Sequence, residues 1–271
     1  MDGKKSQSVI EKILHGKKYR ELEIPQATVA DLLEQELSKG QKKSETVKAV
    51  KAKLHNIIAP YLDTLDYAET GKAIDRINPQ DGDAELNDVC REILSAHDST
   101  RERLSYHLEF FSYLFSGIGP DCKILDLACG LNPVFLPLIQ LPKGVEFIAY
   151  DIHGPRVALL NQIFQKANLN AQAVNQDILV EPPRDAACAA FLFKEAHRVE
   201  KRESGGSRRL IQLLQAQTIF ISLPTHNLNG RFDLRERMER LVDTAIDGIA
   251  DLIETKEFAS EMVFMVRKRD G

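Results

Sequence analysis

The 271-residue chain has no apolar run approaching the ~18 residues that a membrane-spanning helix requires. Its opening residues, Met1-Asp-Gly-Lys-Lys-Ser-Gln, lack the apolar segment of a secretory signal. Cysteine is sparse. Cys90, Cys122, Cys129 and Cys188 are scattered, with no Cys-x-x-Cys pair and no Cys/His spacing suited to zinc. These absences predict a cytoplasmic protein with no membrane segment, no metal site and reduced thiols. Two nucleotide-binding signatures are also missing. Without Gly-x-Gly-x-x-Gly a pyrophosphate has no bare backbone to approach, and without Gly-x-x-x-x-Gly-Lys-Ser/Thr there is no P-loop.

Hydrophobic residues make up 43% of the chain and charged residues 28%, which supports a soluble protein with a real core. The length allows one large domain, or one domain with a smaller appendage. The net charge of −4 hides an asymmetry. Residues 1–60 carry 12 Lys/Arg against 8 Asp/Glu, whereas residues 61–100 carry 3 against 10. A basic end on an acidic chain can face nucleic acid locally, and the same charges also describe a solvated helical surface.

Apolar spacing predicts helices through residues 1–115: Ser6–His15, one opening at Pro25 and stopping at Gly40, Ser44–Leu62, Leu86–Ala96 and Arg101–Phe115. A turn or linker is expected at Asn78–Asp83. Beyond Gly117 the pattern alternates. Strands are predicted at Lys123–Leu127, Glu146–Tyr150, Ala171–Val174, Ala187–Phe193, Thr218–Ser222 and Met262–Val266. Helices are predicted between them at Pro155–Ala167, near 197–215 and at Phe232–Glu254. Such a series implies a mostly parallel sheet covered on both faces, with an antiparallel hairpin expected at its C-terminal edge.

Two strands end on acids and point to a nucleoside ligand. Lys123-Ile-Leu-Asp-Leu-Ala-Cys-Gly-Leu-Asn-Pro133 delivers a small-residue turn after the first strand. Val145-Glu-Phe-Ile-Ala-Tyr-Asp151 closes the second. One glycine followed by a proline cradles a pyrophosphate poorly. S-adenosylmethionine carries no phosphate. It needs a close backbone approach, a carboxylate for its ribose and an apolar slot for adenine. Gly130, Asp151 and the Asp177-Ile178 pair supply these in order.

Ala128-Cys-Gly-Leu-Asn-Pro133 resembles the Cys-Gly-Phe/Leu-Asn-Pro loop of the aminoglycoside-resistance 16S rRNA methyltransferases. Four more segments are similar to motifs of that family: Lys53-Leu-His-Asn-Ile57 with Tyr61, His97-Asp-Ser-Thr-Arg-Glu-Arg103, Tyr150-Asp-Ile152 and Ile221-Ser-Leu-Pro-Thr-His-Asn-Leu-Asn-Gly230. The matches run in order from about residue 50 to 231. The chain departs from the pattern at Phe193, where leucine is common, at His226 and Asn227, and at the Ser204-Gly-Gly-Ser207 insert.

The resemblance implies an α/β fold, a Rossmann-like class I methyltransferase sheet dependent on S-adenosylmethionine. It implies an all-helical N-terminal RNA-docking domain over 1–95 and the methyltransferase domain over 96–271. It implies N7 methylation of a guanine in the decoding site of 16S rRNA within the 30S subunit, by a monomer that confers aminoglycoside resistance. Arg103 is expected on the methionine carboxylate, because a guanidinium suits a bidentate contact. The other readings for Arg103 are surface ion pairs with Glu102 or Glu109. His97, Asp98 and Ser99 are expected to line the same pocket. Ala128 and Gly130 are expected beside the cofactor, Asp151 on its ribose with Ile152 following, Asp177 and Ile178 at its adenine, and Phe193 closing the slot.

Guanine N7 carries a lone pair and no proton, so its methylation needs no general base. Lys194 is the candidate contact to a flipped nucleotide. Phosphate contacts are expected from Lys12, Lys17, Lys18, Lys42, Lys43, Lys48 and Lys51, and from Arg198, Lys201, Arg202, Arg208, Arg209 and Arg231. Two other readings stay open at this point: a small-molecule methyltransferase with a helical lid, and a non-catalytic RNA-binding module.

Overall fold

Apolar strand runs followed by helices build one seven-stranded sheet in the computed structural model, which describes residues 3–40, 42–59, 65–77, 83–227 and 231–269. The strands are β1 (Lys123–Leu127), β2 (Glu146–Asp151), β3 (Ala171–Asn175), β4 (Ala186–Phe193), β5 (Gln215–Pro224), β6 (Ala250–Phe258) and β7 (Glu261–Lys268). Their order is β3-β2-β1-β4-β5-β7-β6. β1 to β5 are parallel, and β7 runs antiparallel between β5 and β6. The chain steps from β1 outward to β2 and β3, then returns to β4 on the other side of β1. That reversal opens a crevice at the carboxyl ends of β1 and β4, where ligands bind in open α/β sheets.

Successive residues of the central strands enter opposite cores. Ile124, Phe147, Ala149, Ala189 and Phe191 face one layer, and Leu125, Ile148, Tyr150, Ala190 and Leu192 face the other. Burial on both faces is why these strands read as continuous apolar runs. The second layer holds α9 (Ala196–Arg202), α10 (Gly206–Leu213) and α11 (Arg235–Ile246). The first holds α4 (Tyr67–Arg76), α5 (Asp83–Ser95), α7 (His107–Phe115) and α8 (Gly154–Lys166), with the short α6 (Asp98–Arg103) leading into α7. Helices α1 (Gly3–Leu14), α2 (Gln26–Leu37) and α3 (Lys43–Ile58) close a separate core around Val29, Leu32, Leu33, Val50 and Leu54.

Several sequence expectations are corrected. Phe232–Glu254 is not one helix. α11 ends at Ile246, Gly248 turns in the left-handed region at φ +69°, and Ala250 begins β6. β6 leaves no alternating signal because Asp251 to Thr255 are exposed without a break. The segment near 197–215 is two helices, interrupted at Gly205 with φ +76°. Arg101–Phe115 is likewise split between α6 and α7. The cysteines are not all free. Parallel pairing of β1 with β4 brings Cys122 and Cys188 into a disulfide with a Cα–Cα distance of 6.0 Å, while Cys90 and Cys129 are buried free thiols. The expected turn at 78–82, with Tyr61, Leu62 and residues 228–230, lies outside the described residues. Among those described, no helix is long and apolar enough to cross a membrane.

Candidate cofactor and target site

After β1 the chain turns through Ala128 at φ +50° and Gly130 at φ +55°. A Cβ on Gly130 would meet nothing within 4 Å, so the loop presents bare backbone to open space. Asn132–Leu138 then forms a 3₁₀ helix, with Pro133 in its first turn and Pro137 inside it. The α-helix N-terminus that would hold a pyrophosphate is therefore absent here, as the Leu-Asn-Pro sequence predicts.

A cleft of about 470 Å³ lies beside this loop. Ala128, Asp151, Ile152, Asp177 and Ile178 all line it. The Asp151 carboxylate accepts the Gly130 N–H at 2.9 Å and the His153 N–H at 2.8 Å, and Arg156 pairs with it at 3.2 Å. It ties the β1 turn to the β2 end. The cap of α8 is His153, whose Nδ1 accepts from the Arg156 N–H. Asp177 is buried beneath a bidentate contact from Arg202, at 2.9 and 2.7 Å.

Arg103 has neither of the local carboxylate partners that its neighbours in sequence offer. Its Nε and Nη2 donate to Glu261 at 2.8 and 2.7 Å, and Nη1 donates to Asn132 Oδ1 at 2.7 Å. Asn132 Nδ2 donates on to Asp126 at 2.7 Å. Glu102 instead meets Lys194 Nζ at 2.9 Å, and Glu109 meets Lys256 at 3.1 Å. The Arg103 guanidinium lies over the rings of Phe110 at 4.3 Å and Phe193 at 5.1 Å. Arg103, Phe193 and Lys194 therefore share one neighbourhood at the end of β4. Lys194 itself is strained, at φ +54°, with its N–H on the Ser222 carbonyl at 2.8 Å. Non-glycine residues in this region cluster at functional sites, and Ala128 and Lys194 terminate adjacent strands.

Burial shapes the acids here. It pushes Asp126 up to about 8, against the opposing hydrogen bond from Asn132 and the charge of Arg103. Asp126 Oδ1 has no hydrogen-bond partner. Burial also opposes ionisation of Glu261, but Arg103 and Lys194 outweigh it and hold the carboxyl down to about 2. His197 lines the cleft as a neutral imidazole, lowered to about 4 by burial and by Arg198 and Arg237.

The remaining candidates disperse. His97 Nδ1 contacts Ser99 Oγ at 2.9 Å, and Asp98 is exposed on Arg101. Lys12, Lys17, Lys18, Lys42, Lys43, Lys48 and Lys51 are exposed on the first three helices and their connections, with Lys18 Nζ on His55 Nδ1 at 2.9 Å. Arg198, Lys201 and Arg202 line the cleft. Arg208 donates to the Asp247 carbonyl and Arg209 pairs with Glu203, while Arg231 is exposed. Sequence reasoning missed Glu261, Asn132 as the link from Arg103 to Asp126, and Arg156. The signals were thin: an Asn-Pro after the loop, and an acid at the start of the last strand.

One open glycine turn, acids at the ends of β2 and β3 and a buried guanidinium fit a phosphate-free nucleoside bearing an amino-acid tail. Among the described residues no group of three or more His, Cys, Asp or Glu is placed to hold a metal. Fold and site together define a class I, S-adenosylmethionine-dependent methyltransferase. The sequence model of the family described as "Ribosomal RNA methyltransferase (FmrO)" matches residues 15–261, and the chain belongs to that family.

Two curated relatives are 16S rRNA (guanine(1405)-N(7))-methyltransferases. The one from Serratia marcescens is 27% identical, covering 94% of this chain and 96% of its own length. The one from Frankia casuarinae is 28% identical, covering 89% and 87%. An rRNA methylase from Escherichia coli superposes with a TM-score of 0.75 at 25% identity, over 97% of this chain and all of its own. The 16S rRNA methyltransferase RmtF, in complex with S-adenosyl-L-homocysteine, gives 0.79 at 24% identity over 99% of this chain and all of its own.

Proposed function

We propose that this protein methylates N7 of guanine 1405 in 16S rRNA, in the decoding site of the 30S subunit, and so confers aminoglycoside resistance. The relatives that carry this activity align along nearly the whole chain. The observation that supports the reading is the cleft lined by Ala128, Asp151, Ile152, Asp177 and Ile178, with the Gly130 N–H bonded to Asp151.

The cofactor, when bound, supplies a methyl group on a sulfonium. Arg103 would hold its carboxylate through the two guanidinium hydrogens not taken by Glu261 or Asn132. Asp151 would receive the ribose hydroxyls, while Ile152 and Ile178 would flank adenine beside Asp177. Phe193 closes the methionine end. No residue has to remove a proton from N7, and no acid–base dyad is required. The work is orientation, which contributes as much as ~7–11 kcal/mol in favourable cases. Lys194, paired with Glu102 at 2.9 Å, would meet the extruded nucleotide. Exposed lysines of α1 and α3 and their flanks would take rRNA phosphates.

The test is expression in a susceptible bacterium, with resistance to 4,6-disubstituted deoxystreptamines and primer extension on 16S rRNA as readouts. High resistance with a stop at the modified guanine is expected. Unchanged sensitivity and unmodified rRNA from well-expressed, folded protein would overturn the reading. Methylation of a small acceptor without ribosomal subunits would favour the helical-lid alternative instead.

A further inference from the structure

Resting on the cofactor pocket just proposed, we infer that the N-terminal helices supply one wall of its adenosine end, latched in place at Gly154. The N-terminal domain is then a cofactor-binding element as well as an rRNA-docking one.

Three independent features place it there. The first is the composition of the cleft. Its lining takes Ile152 and Ile178 from the sheet domain and Ile24, Asn56 and Ile57 from the loop before α2 and from α3. An aromatic base between those residues would have aliphatic side chains from both parts of the chain. Asn56, exposed, adds an amide able to donate and accept.

The second is Ile152. It follows Asp151 directly, yet it packs against the N-terminal core of α1–α3 rather than against either face of the sheet. The backbone that aims Asp151 is thus braced by the helical domain.

The third is the joint itself. Gly154 N–H donates to the Leu22 carbonyl at 3.0 Å. A Cβ added to Gly154 would lie 2.4 Å from the Glu23 Cβ and 3.1 Å from the Glu23 carbonyl oxygen. Glu23 sits at φ +47°, an unfavourable region for glutamate. The loop is bent into a strained conformation in order to approach Gly154, three residues past Asp151. Only glycine admits that approach. Seating the helices and shaping the adenosine slot are one event, so cofactor binding and the pose of the rRNA-docking helices are coupled.

Titration calorimetry of the full chain with S-adenosyl-L-homocysteine tests this, alongside hydrogen exchange on the wild type. Gly154→Ala and Ile57→Ala are each expected to weaken binding at least tenfold, with Glu34→Ala, exposed on α2, as an unaffected control. Bound S-adenosyl-L-homocysteine is expected to slow amide exchange in segments 19–25 and 53–59. If Gly154→Ala does not fold, Ile57→Ala and the wild-type exchange still decide. Wild-type binding with unaltered affinity in the variants and no protection of those segments would overturn the inference while leaving the pocket intact. Absence of wild-type binding would instead sink the pocket, and this inference with it.

Discussion

Arg103 and Glu261 form a fully buried, two-pronged ion pair across 158 residues of sequence, with N–O distances of 2.8 and 2.7 Å. Tyr106 adds a hydrogen bond to Glu261 at 2.9 Å. The pair clamps the C-terminal end of α6 to the start of β7 and sets the guanidinium over Phe110 and Phe193.

Removing one partner leaves the other charge buried and uncompensated, which typically costs 3–5 kcal/mol. Glu261→Gln is therefore expected to lower the unfolding free energy by about 3 kcal/mol in urea titrations. Because the folded carboxyl is held down to about 2, this stabilisation is complete above the ordinary glutamate range and disappears as pH falls toward 2. Arg103→Lys keeps the charge but loses the fork. It is expected to weaken S-adenosyl-L-homocysteine binding at least tenfold by calorimetry.

Asp126 gives the opposite pH signature. In the folded protein it keeps its proton up to about 8, whereas in the unfolded chain it ionises near the ordinary aspartate value. The folded state binds the extra proton between those limits, so stability falls as pH rises from about 4 to 8. Asp126→Asn retains an acceptor for Asn132 and removes the titration. Its unfolding free energy is expected to decline less between pH 5 and 8 than that of the wild type. Parallel pH–stability curves for the two proteins would refute the assignment.

Ala128 adopts φ +50° where glycine would be unstrained. Ala128→Gly is expected to raise stability by roughly 0.5–1 kcal/mol, the relief of left-handed strain less the added freedom of the unfolded chain. Ala128→Val should destabilise and also narrow the cleft. Urea midpoints and S-adenosyl-L-homocysteine affinity separate the two effects.

Lys48 and Lys51 are exposed on α3, the helix that also lines the cleft. If they neutralise rRNA phosphates, the Lys48→Glu/Lys51→Glu double variant will bind 30S subunits more weakly. Its log-affinity against log-salt slope should also be shallower, by roughly 0.7–0.9 for each phosphate no longer neutralised. Filter binding across a salt series reads both quantities, and an unchanged slope would remove these lysines from the footprint.

Five of the seven strands were legible because their residues are buried on both faces, or carry an apolar run bounded by turns, and β3 was legible only as the next step of the strand–helix series. β6 was not, since Leu252 and Ile253 lie exposed on an edge strand and set no alternation against polar neighbours. The site was legible at its backbone. The glycine turn, Asp151 and Asp177 sit where strand ends must deliver them, and five motifs in order suggested the family that residues 15–261 match. Its cross-connections were hidden. Glu102 and Glu109 were the obvious partners for Arg103 from helical spacing, yet both turn to lysines elsewhere.

By itself the sequence determined the alternating strands and helices, the phosphate-free character of the β1 turn and the acids that follow β2 and β3. These depend on backbone preferences and burial patterns written within a few residues. Only the tertiary structure decided that Arg103 meets Glu261, that Cys122 meets Cys188 and that Ile24 and Ile57 roof the cleft. Such pairings depend on which distant surfaces are buried together, and no local spacing encodes that choice.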